Sequence, residues 1–244
     1  MKKLIAYPLS AIFYLFMGTI LIIFHPIQFI AYNVFGYKAH KFTVDLFNII
    51  LVPALFILFC RPSFYGFKKI PKNRPLLILS NHQSLFDITP VVVGFRRNHA
   101  KFISKKELGK NLPSVSYNLN KGGSVLIDRK NSSQSIKEIF KLGKRMEERN
   151  WSACLFPEGT RSRNGDLRHF QPAGIKTLLK ASPSALIVPF AIDGNYKLHK
   201  YGNFPLNLGI HLKYTALEPI NREGYTDEEL IALVEKRIKE ALEQ

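Results

Sequence analysis

Residues 76–87 read Leu76-Leu77-Ile78-Leu79-Ser80-Asn81-His82-Gln83-Ser84-Leu85-Phe86-Asp87: four large aliphatics run straight into a polar loop that carries a histidine and an aspartate. A short continuous apolar run bounded by polar residues suits a strand covered on both faces. The same grammar recurs downstream, where Ser152-Ala153-Cys154-Leu155 leads into Phe156-Pro157-Glu158-Gly159-Thr160-Arg161-Ser162. In open α/β sheets, chemistry collects beyond the carboxyl ends of the strands. The two loops are therefore expected to contribute to one site.

Apolar runs and helical patterns alternate through residues 68–244. Strands are predicted at Leu76–Ser80, Lys101–Ser104, Ser124–Asp128, Ser152–Phe156, Leu186–Ile192 and Gly209–Ala216. Helices are predicted at Phe86–Arg97, Gln134–Arg149, Ala173–Ala181 and Asp227–Leu242. The last opens on Thr226-Asp227-Glu228-Glu229, a capping box with acids in the first turn, and repeats Leu230, Ile231, Val234, Ile238 and Leu242 at helical spacing. This alternation predicts an α/β fold, a mostly parallel sheet covered by helices. Residues 111–121 are the weakest stretch, poor in apolar residues.

The spacing of His82 and Asp87 is informative. Five steps along a continuous helix turn about 500°, which puts the two side chains on different faces. They meet only if the chain turns between them. A turn at Gln83-Ser84 before a helix start near Phe86 allows the carboxylate to hold one imidazole nitrogen and leave the other free as a base. Ser84-x-x-Asp87 also fits a capping box, which gives Asp87 a structural reading. From the pair alone both readings stay open.

The amino-terminal part differs in character. Leu4 to Tyr37 contains no Asp, Glu, Lys or Arg, and a second apolar run extends from Leu46 to Cys60 between Asp45 and Arg61. The first run exceeds the roughly 20 residues a bilayer span needs. It is too long for a signal peptide and shows no small-residue cleavage pattern. Residues 1–65 are thus expected to form a membrane-anchoring helical segment with two helices, and residues 66–244 the α/β domain. A transmembrane hairpin and a pair of helices immersed in one leaflet both fit.

The chain carries 35 Lys and Arg against 18 Asp and Glu, a net charge of +17. Lys38, Lys41, Arg61, Lys68, Lys69, Lys72 and Arg74 flank the apolar runs, with Phe64, Tyr65 and Phe67 among them. Basic residues beside aromatics at an apolar boundary suit an anionic, cytoplasm-facing membrane surface. A second basic group, Arg96, Arg97, Lys101, Lys105, Lys106 and Lys110, suits a phosphate-bearing or acidic ligand. No nucleic-acid-binding module accompanies the charge. Two cysteines, Cys60 and Cys154, make no disulfide framework, and the seven histidines show no His-x-x-x-His pairing, so no metal is expected.

Asn81-His82-x-Ser84-x-x-Asp87 followed by Phe156-Pro157-Glu158-Gly159-Thr160-Arg161 resembles the PlsC-like glycerolipid acyltransferases. Ser104-Lys105-Lys106-Glu107-Leu108, Gly123-to-Arg129 and Val188-Pro189-Phe190 resemble further blocks of that family, in its order, across residues 76–193. The resemblance implies a membrane-bound enzyme that moves a fatty acyl group from a thioester to the 2-hydroxyl of 1-acylglycerol 3-phosphate, giving phosphatidic acid. It implies His82 as general base oriented by Asp87. Substrate-binding roles follow for Lys105, Arg129, Glu158, Gly159, Thr160 and Arg161, with Arg129 and Arg161 on the phosphate. Glu158 is expected to orient an arginine or bind a glycerol hydroxyl. Acyl-CoA or acyl-carrier protein would be co-substrate, with no cofactor. The same chemistry on glycerol 3-phosphate, a lysophospholipid or a lyso-aminolipid is an alternative, as is a non-catalytic lipid-binding membrane-surface protein. Residues 111–121 depart from the family's more apolar pattern, so acyl-chain preference does not carry over.

Overall fold

The computed structural model describes residues 1–243. In chain order the elements are α1 (Lys2–Ala54), β1 (Arg61–Tyr65), β2 (Leu76–Ser80), α2 (Ile88–Gly94), β3 (Ala100–Lys105), α3 (Val115–Lys121), β4 (Val125–Ile127), α4 (Ser132–Arg149), β5 (Ser152–Leu155), α5 (Pro172–Ala181), β6 (Leu186–Asp193), β7 (His211–Ala216) and α6 (Asp227–Leu242). Seven strands form one sheet in the order β1-β7-β6-β2-β5-β3-β4. Only the β6–β7 pair is antiparallel; the other pairs are parallel. The α/β architecture with a mostly parallel, helix-covered sheet is thereby observed.

β2 lies at the centre, between β5 and β6, and all five of its residues are buried. That explains its unbroken apolar run: a parallel strand covered on both faces has no solvent side to alternate with. Successive side chains serve opposite layers. Leu76 and Ile78 join Val188, Phe190, Phe95, Phe13 and Leu58 on the face covered by α1 and α2. Leu77 and Leu79 join Ile187, Leu142, Met146, Ile175 and Val234 on the face covered by α4, α5 and α6. Truncating a buried aliphatic such as Ile78 to Ala would cost about 2–5 kcal/mol in transfer and cavity terms.

The two expected amino-terminal helices take the form of one helical run, Lys2–Ala54, whose backbone leaves helical geometry inside at Gly36 (φ 78°, ψ −168°). A residue without Cβ takes that conformation at little cost. Phe24 meets Phe47 and Tyr32 meets His40, each at 5.5 Å between ring centroids, so the arms before and after Gly36 fold back on each other. The run Lys2–Leu58 is long and apolar enough to cross a bilayer. Leu4, Leu15, Val34 and Phe35 are at least two-thirds exposed along it. Other residues of the same run dock on the domain. The Leu206 N–H donates to Ser10 Oγ, and the Tyr14 hydroxyl donates to the Asn203 carbonyl.

Three differences from the sequence reading have local causes. Arg61–Tyr65, placed with the helical segment, is an edge strand in parallel register with β7. Its Arg-Pro-Ser start hides the strand pattern, and Pro is tolerated at an edge. The helix expected over 86–97 is divided into two short 3-10 turns, Leu85–Asp87 and Arg96–Asn98, around the seven residues of α2. The Asn98 side chain donates to the Pro71 carbonyl and ends that segment. Within residues 111–121, α3 forms and docks on α1: Ser114 Oγ donates to the Leu21 carbonyl, and Asn33 Nδ2 to Tyr117 Oη. Seven residues are too few for helical periodicity to stand out.

Candidate active site

The loop after β2 turns immediately. Ser84, in extended conformation, caps the Leu85–Asp87 turn: its Oγ accepts the Phe86 N–H, and its own N–H donates to Asp87 Oδ2 at 2.9 Å. The capping box therefore forms, and the same carboxylate oxygen also lies 2.7 Å from His82 Nδ1. The two readings of Asp87 coexist, because the turn that satisfies the cap carries the carboxylate back toward His82. Asp87 is fully buried and accepts a further bond from the Gln83 N–H at 2.6 Å. With Nδ1 so held, Nε2 is the ring nitrogen of His82 that Asp87 leaves unengaged. The ring is stacked on Phe156 from the second loop, at 4.2 Å between centroids.

The loop after β5 is joined to the first at two points. Glu158 Oε1 accepts the His82 N–H at 2.7 Å, and the Ser162 N–H donates to the His82 carbonyl at 2.7 Å. Glu158 Oε2 accepts the Arg168 N–H at 3.3 Å. The hydrogen bonds of the carboxylate thus come from backbone N–H groups, with the Arg168 charge acting on it as well. Burial pushes its pKa up to about 7, against the opposing pull of these two hydrogen bonds. Gly159 has φ 70° and an added Cβ would meet open space, so backbone conformation rather than packing calls for glycine there.

Arg129, two residues beyond β4, donates through Nη1 to the Gly159 carbonyl at 2.5 Å. Lys105 ends β3 in register with Ile127 of β4 and is exposed. Thr160 and Arg161 are exposed in the second loop. Hydrogen bonds thereby connect His82, Asp87, Glu158, Gly159 and Arg129 into one cluster at the carboxyl ends of β2, β5 and β4. Arg161 and Thr160 follow directly on Gly159, and Lys105 belongs to the neighbouring strand end. Among the described residues, no group of three or more His, Cys, Asp and Glu side chains is arranged to hold a metal ion.

Asn81 belongs to the motif read from the sequence, whereas Asn195 and His199 went unremarked there. Asn81 holds β6, its amide exchanging hydrogen bonds with the Ile192 N–H and carbonyl at 2.8 Å each. His199 Nε2 lies 2.8 Å from Ser84 Oγ, and its ring is stacked on Phe86, which meets Phe13 of α1. Burial and the nearby Arg161 hold the His199 pKa below the ordinary histidine range. Asn195 and His199 follow the carboxyl end of β6, and that position is the one signal by which sequence reasoning could have flagged them.

The family model described as Acyltransferase matches residues 61–193. A crystal structure of PlsC, the 1-acyl-sn-glycerophosphate acyltransferase of Thermotoga maritima, superposes with a TM-score of 0.82 at 25% identity, covering 100% of this chain and 97% of that one. The 1-acyl-sn-glycerol-3-phosphate acyltransferase beta of Homo sapiens is 28% identical over 179 residues, 70% of this chain and 63% of the human protein. The 1-acyl-sn-glycerol-3-phosphate acyltransferase of Helicobacter pylori is 35% identical over 130 residues, 51% of this chain and 54% of that protein. Against these two named relatives, the match spans less than two-thirds of their length. Since the family model covers more than half of the sequence, the chain belongs to the acyltransferase family.

Proposed function

We propose that this protein is a membrane-bound 1-acylglycerol-3-phosphate O-acyltransferase. It moves a fatty acyl group from acyl-CoA or acyl-carrier protein to the 2-hydroxyl of 1-acylglycerol 3-phosphate and yields phosphatidic acid for phospholipid synthesis. The observation that carries the reading is the 2.7 Å contact between His82 Nδ1 and the buried Asp87 carboxylate, in a loop tied to Glu158-Gly159-Thr160-Arg161. The names of the relatives supply the acceptor.

An alcohol is almost wholly protonated at neutral pH and needs a base during attack. His82 Nε2 takes the hydroxyl proton as the oxygen attacks the thioester carbon. Asp87 keeps the proton on Nδ1 and stabilises the imidazolium that forms. The tetrahedral intermediate then collapses, the carbon–sulfur bond breaks, and the imidazolium returns its proton to the departing thiolate. No acyl-enzyme is needed. Arg129 and Arg161 grip the acceptor phosphate, since a guanidinium offers two parallel donors to a phosphate edge. Lys105 adds a third cation. Glu158 ties the two loops together, and Gly159 and Thr160 present the second loop to the glycerol.

The domain works beside its lipid. The apolar outer surface of α1 anchors the chain, and the exposed Lys38, Lys68 and Lys72 face an anionic cytoplasmic leaflet; Lys41 is instead taken up by Asp45 and the Arg96 carbonyl. On this reading the membrane segment ends and the catalytic domain begins between Leu58 and Arg61, where the helical run gives way to β1.

The test is acyl transfer by detergent-purified protein, wild type beside His82→Ala. The acceptors are 1-acylglycerol 3-phosphate, glycerol 3-phosphate and lysophosphatidylcholine, each with both donors. Phosphatidic acid from wild type alone is expected. Product from another acceptor would move the substrate and keep the mechanism. Undiminished transfer by His82→Ala would remove the base assignment.

A further inference from the structure

The 3-10 turn Asn195–His199, which follows β6, touches the His82 loop at three points. Asn195 Nδ2 donates to Asp87 Oδ1 at 2.6 Å, the Tyr196 N–H donates to Gln83 Oε1 at 3.3 Å, and His199 meets Ser84. Asn195 is itself held from the far side, where the Tyr214 hydroxyl donates to its Oδ1 at 3.0 Å. Asp87, Asn195 and Tyr214 are 0%, 0% and 1% exposed, so no water competes for these bonds.

The polarity of this chain of groups follows from its ends. Burial pushes the Tyr214 phenol above its ordinary range, so it keeps its proton and donates it. The amide oxygen of Asn195 accepts, which turns the NH2 toward Asp87. On Asp87, Oδ2 serves His82 Nδ1 and the Gln83 and Ser84 N–H groups, while Oδ1 takes the bond from Asn195. A terminal carboxylate torsion is otherwise soft. With both oxygens held, the Oδ2 lone pairs stay aimed at the imidazole. The antiparallel turn-back of the chain makes this possible: Tyr214 of β7 pairs with Ile192, three residues before Asn195.

We infer that Asn195, held by Tyr214, is a positioning residue that fixes the rotation of the Asp87 carboxylate and so aims the His82 imidazole. The inference rests on the proposed role of His82 as base. Asn195 touches no substrate; it acts through Asp87. Without its bond, Asp87 turns more freely and carries a less compensated charge, which holds a proton on His82 more tightly.

The experiment uses the full chain in detergent, with Asn195→Leu, Asn195→Asp and Tyr214→Phe. Asn195→Leu is expected to lower kcat about 10- to 100-fold, the worth of one hydrogen bond to a charged group. KM for the acceptor stays within about twofold of wild type. The acid limb of the pH profile of kcat/KM moves to higher pH. Asn195→Asp recovers most of kcat, because a second buried carboxyl beside Asp87 keeps its proton and still donates. Tyr214→Phe gives a smaller fall in the same direction and preserves the core if Asn195→Leu does not fold. An NMR titration of the His82 ring nitrogens reads the same shift without substrate. Wild-type kcat and an unmoved His82 titration in folded Asn195→Leu or, should that variant not fold, in Tyr214→Phe, or an effect on KM alone, would overturn the inference. Absence of transfer by folded wild type would instead strike at the acyl-transfer reading, and the NMR titration would still decide the role of Asn195.

Discussion

The Glu158 carboxylate accepts the backbone N–H of His82 at 2.7 Å, across 76 residues of sequence. Of the two polar loops, one thus holds the other by a charged group that faces main chain. The consequence is a pH-dependent stability. Burial raises the Glu158 pKa from 4.5 to about 7, so between those values the native chain binds more protons than the unfolded one. The stabilisation is fully present below about pH 4.5 and is lost as pH rises through about 7. Its size is at most about 3 kcal/mol. Thermal unfolding of wild type and Glu158→Gln between pH 4.5 and 8 checks this: the wild-type midpoint should fall more steeply across that window. Parallel curves would show that Glu158 does not titrate there.

Asp87→Asn presents an amide where His82 needs an acceptor, and the imidazole is left with the wrong tautomer or orientation. A loss in kcat on the order of 10³- to 10⁴-fold is expected, as for other histidine bases deprived of their carboxylate. His82→Ala should lose at least 10²-fold. Steady-state kinetics on 1-acylglycerol 3-phosphate would show kcat falling with KM little changed.

Arg161 is exposed, so Arg161→Ala should leave stability within about 0.5 kcal/mol of wild type. The proposed grip on phosphate predicts a fall in kcat/KM of about 10- to 100-fold for the phosphorylated acceptor. Arg161→Lys should recover only part of it, because an ammonium lacks the two-pronged geometry. Equal losses on a phosphate-free acceptor would remove the phosphate role.

Cys60 and Cys154 are 0% and 1% exposed, and burial raises both thiols above their ordinary pKa. A thiol is reactive as its thiolate and only when reached. Treatment of the folded protein with a maleimide at pH 7 should leave both unlabelled and transfer unaffected; mass spectrometry and the transfer assay read the two results.

Deleting residues 1–58 should fail to give a soluble domain. Ala6, Phe13 and Leu58 are buried in the layer that also contains Ile78, Phe190 and Leu206. Removing them uncovers that apolar face of the sheet, and such patches aggregate. A monodisperse truncated protein in gel filtration without detergent would show the arm to be a separable anchor.

Much of this molecule was legible before folding was considered. The buried strands β2 and β5 announced themselves because a parallel strand covered on both sides must be apolar throughout. α4 and α6 did so because their buried stripes recur at helical spacing. His82, Asp87 and the Glu158–Arg161 loop stood out as polar residues directly after such strands. β1 did not, since an edge strand that opens Arg-Pro-Ser and is only partly buried lacks both signals. Neither did α3, whose seven residues take their order from contacts with α1.

What the sequence alone determined, then, was what local pattern dictates: most of the strands and helices, and the two polar loops that follow β2 and β5. Tertiary structure alone decided which groups surround those side chains. Asn195 reaches Asp87 across 108 residues, and Tyr214 reaches Asn195 because β7 runs antiparallel beside β6. Glu158 faces the His82 backbone because β2 and β5 are neighbours in the sheet. Periodicity and propensity act over a few residues, whereas the partners of a buried polar group are set by strand order and register, which no local stretch encodes.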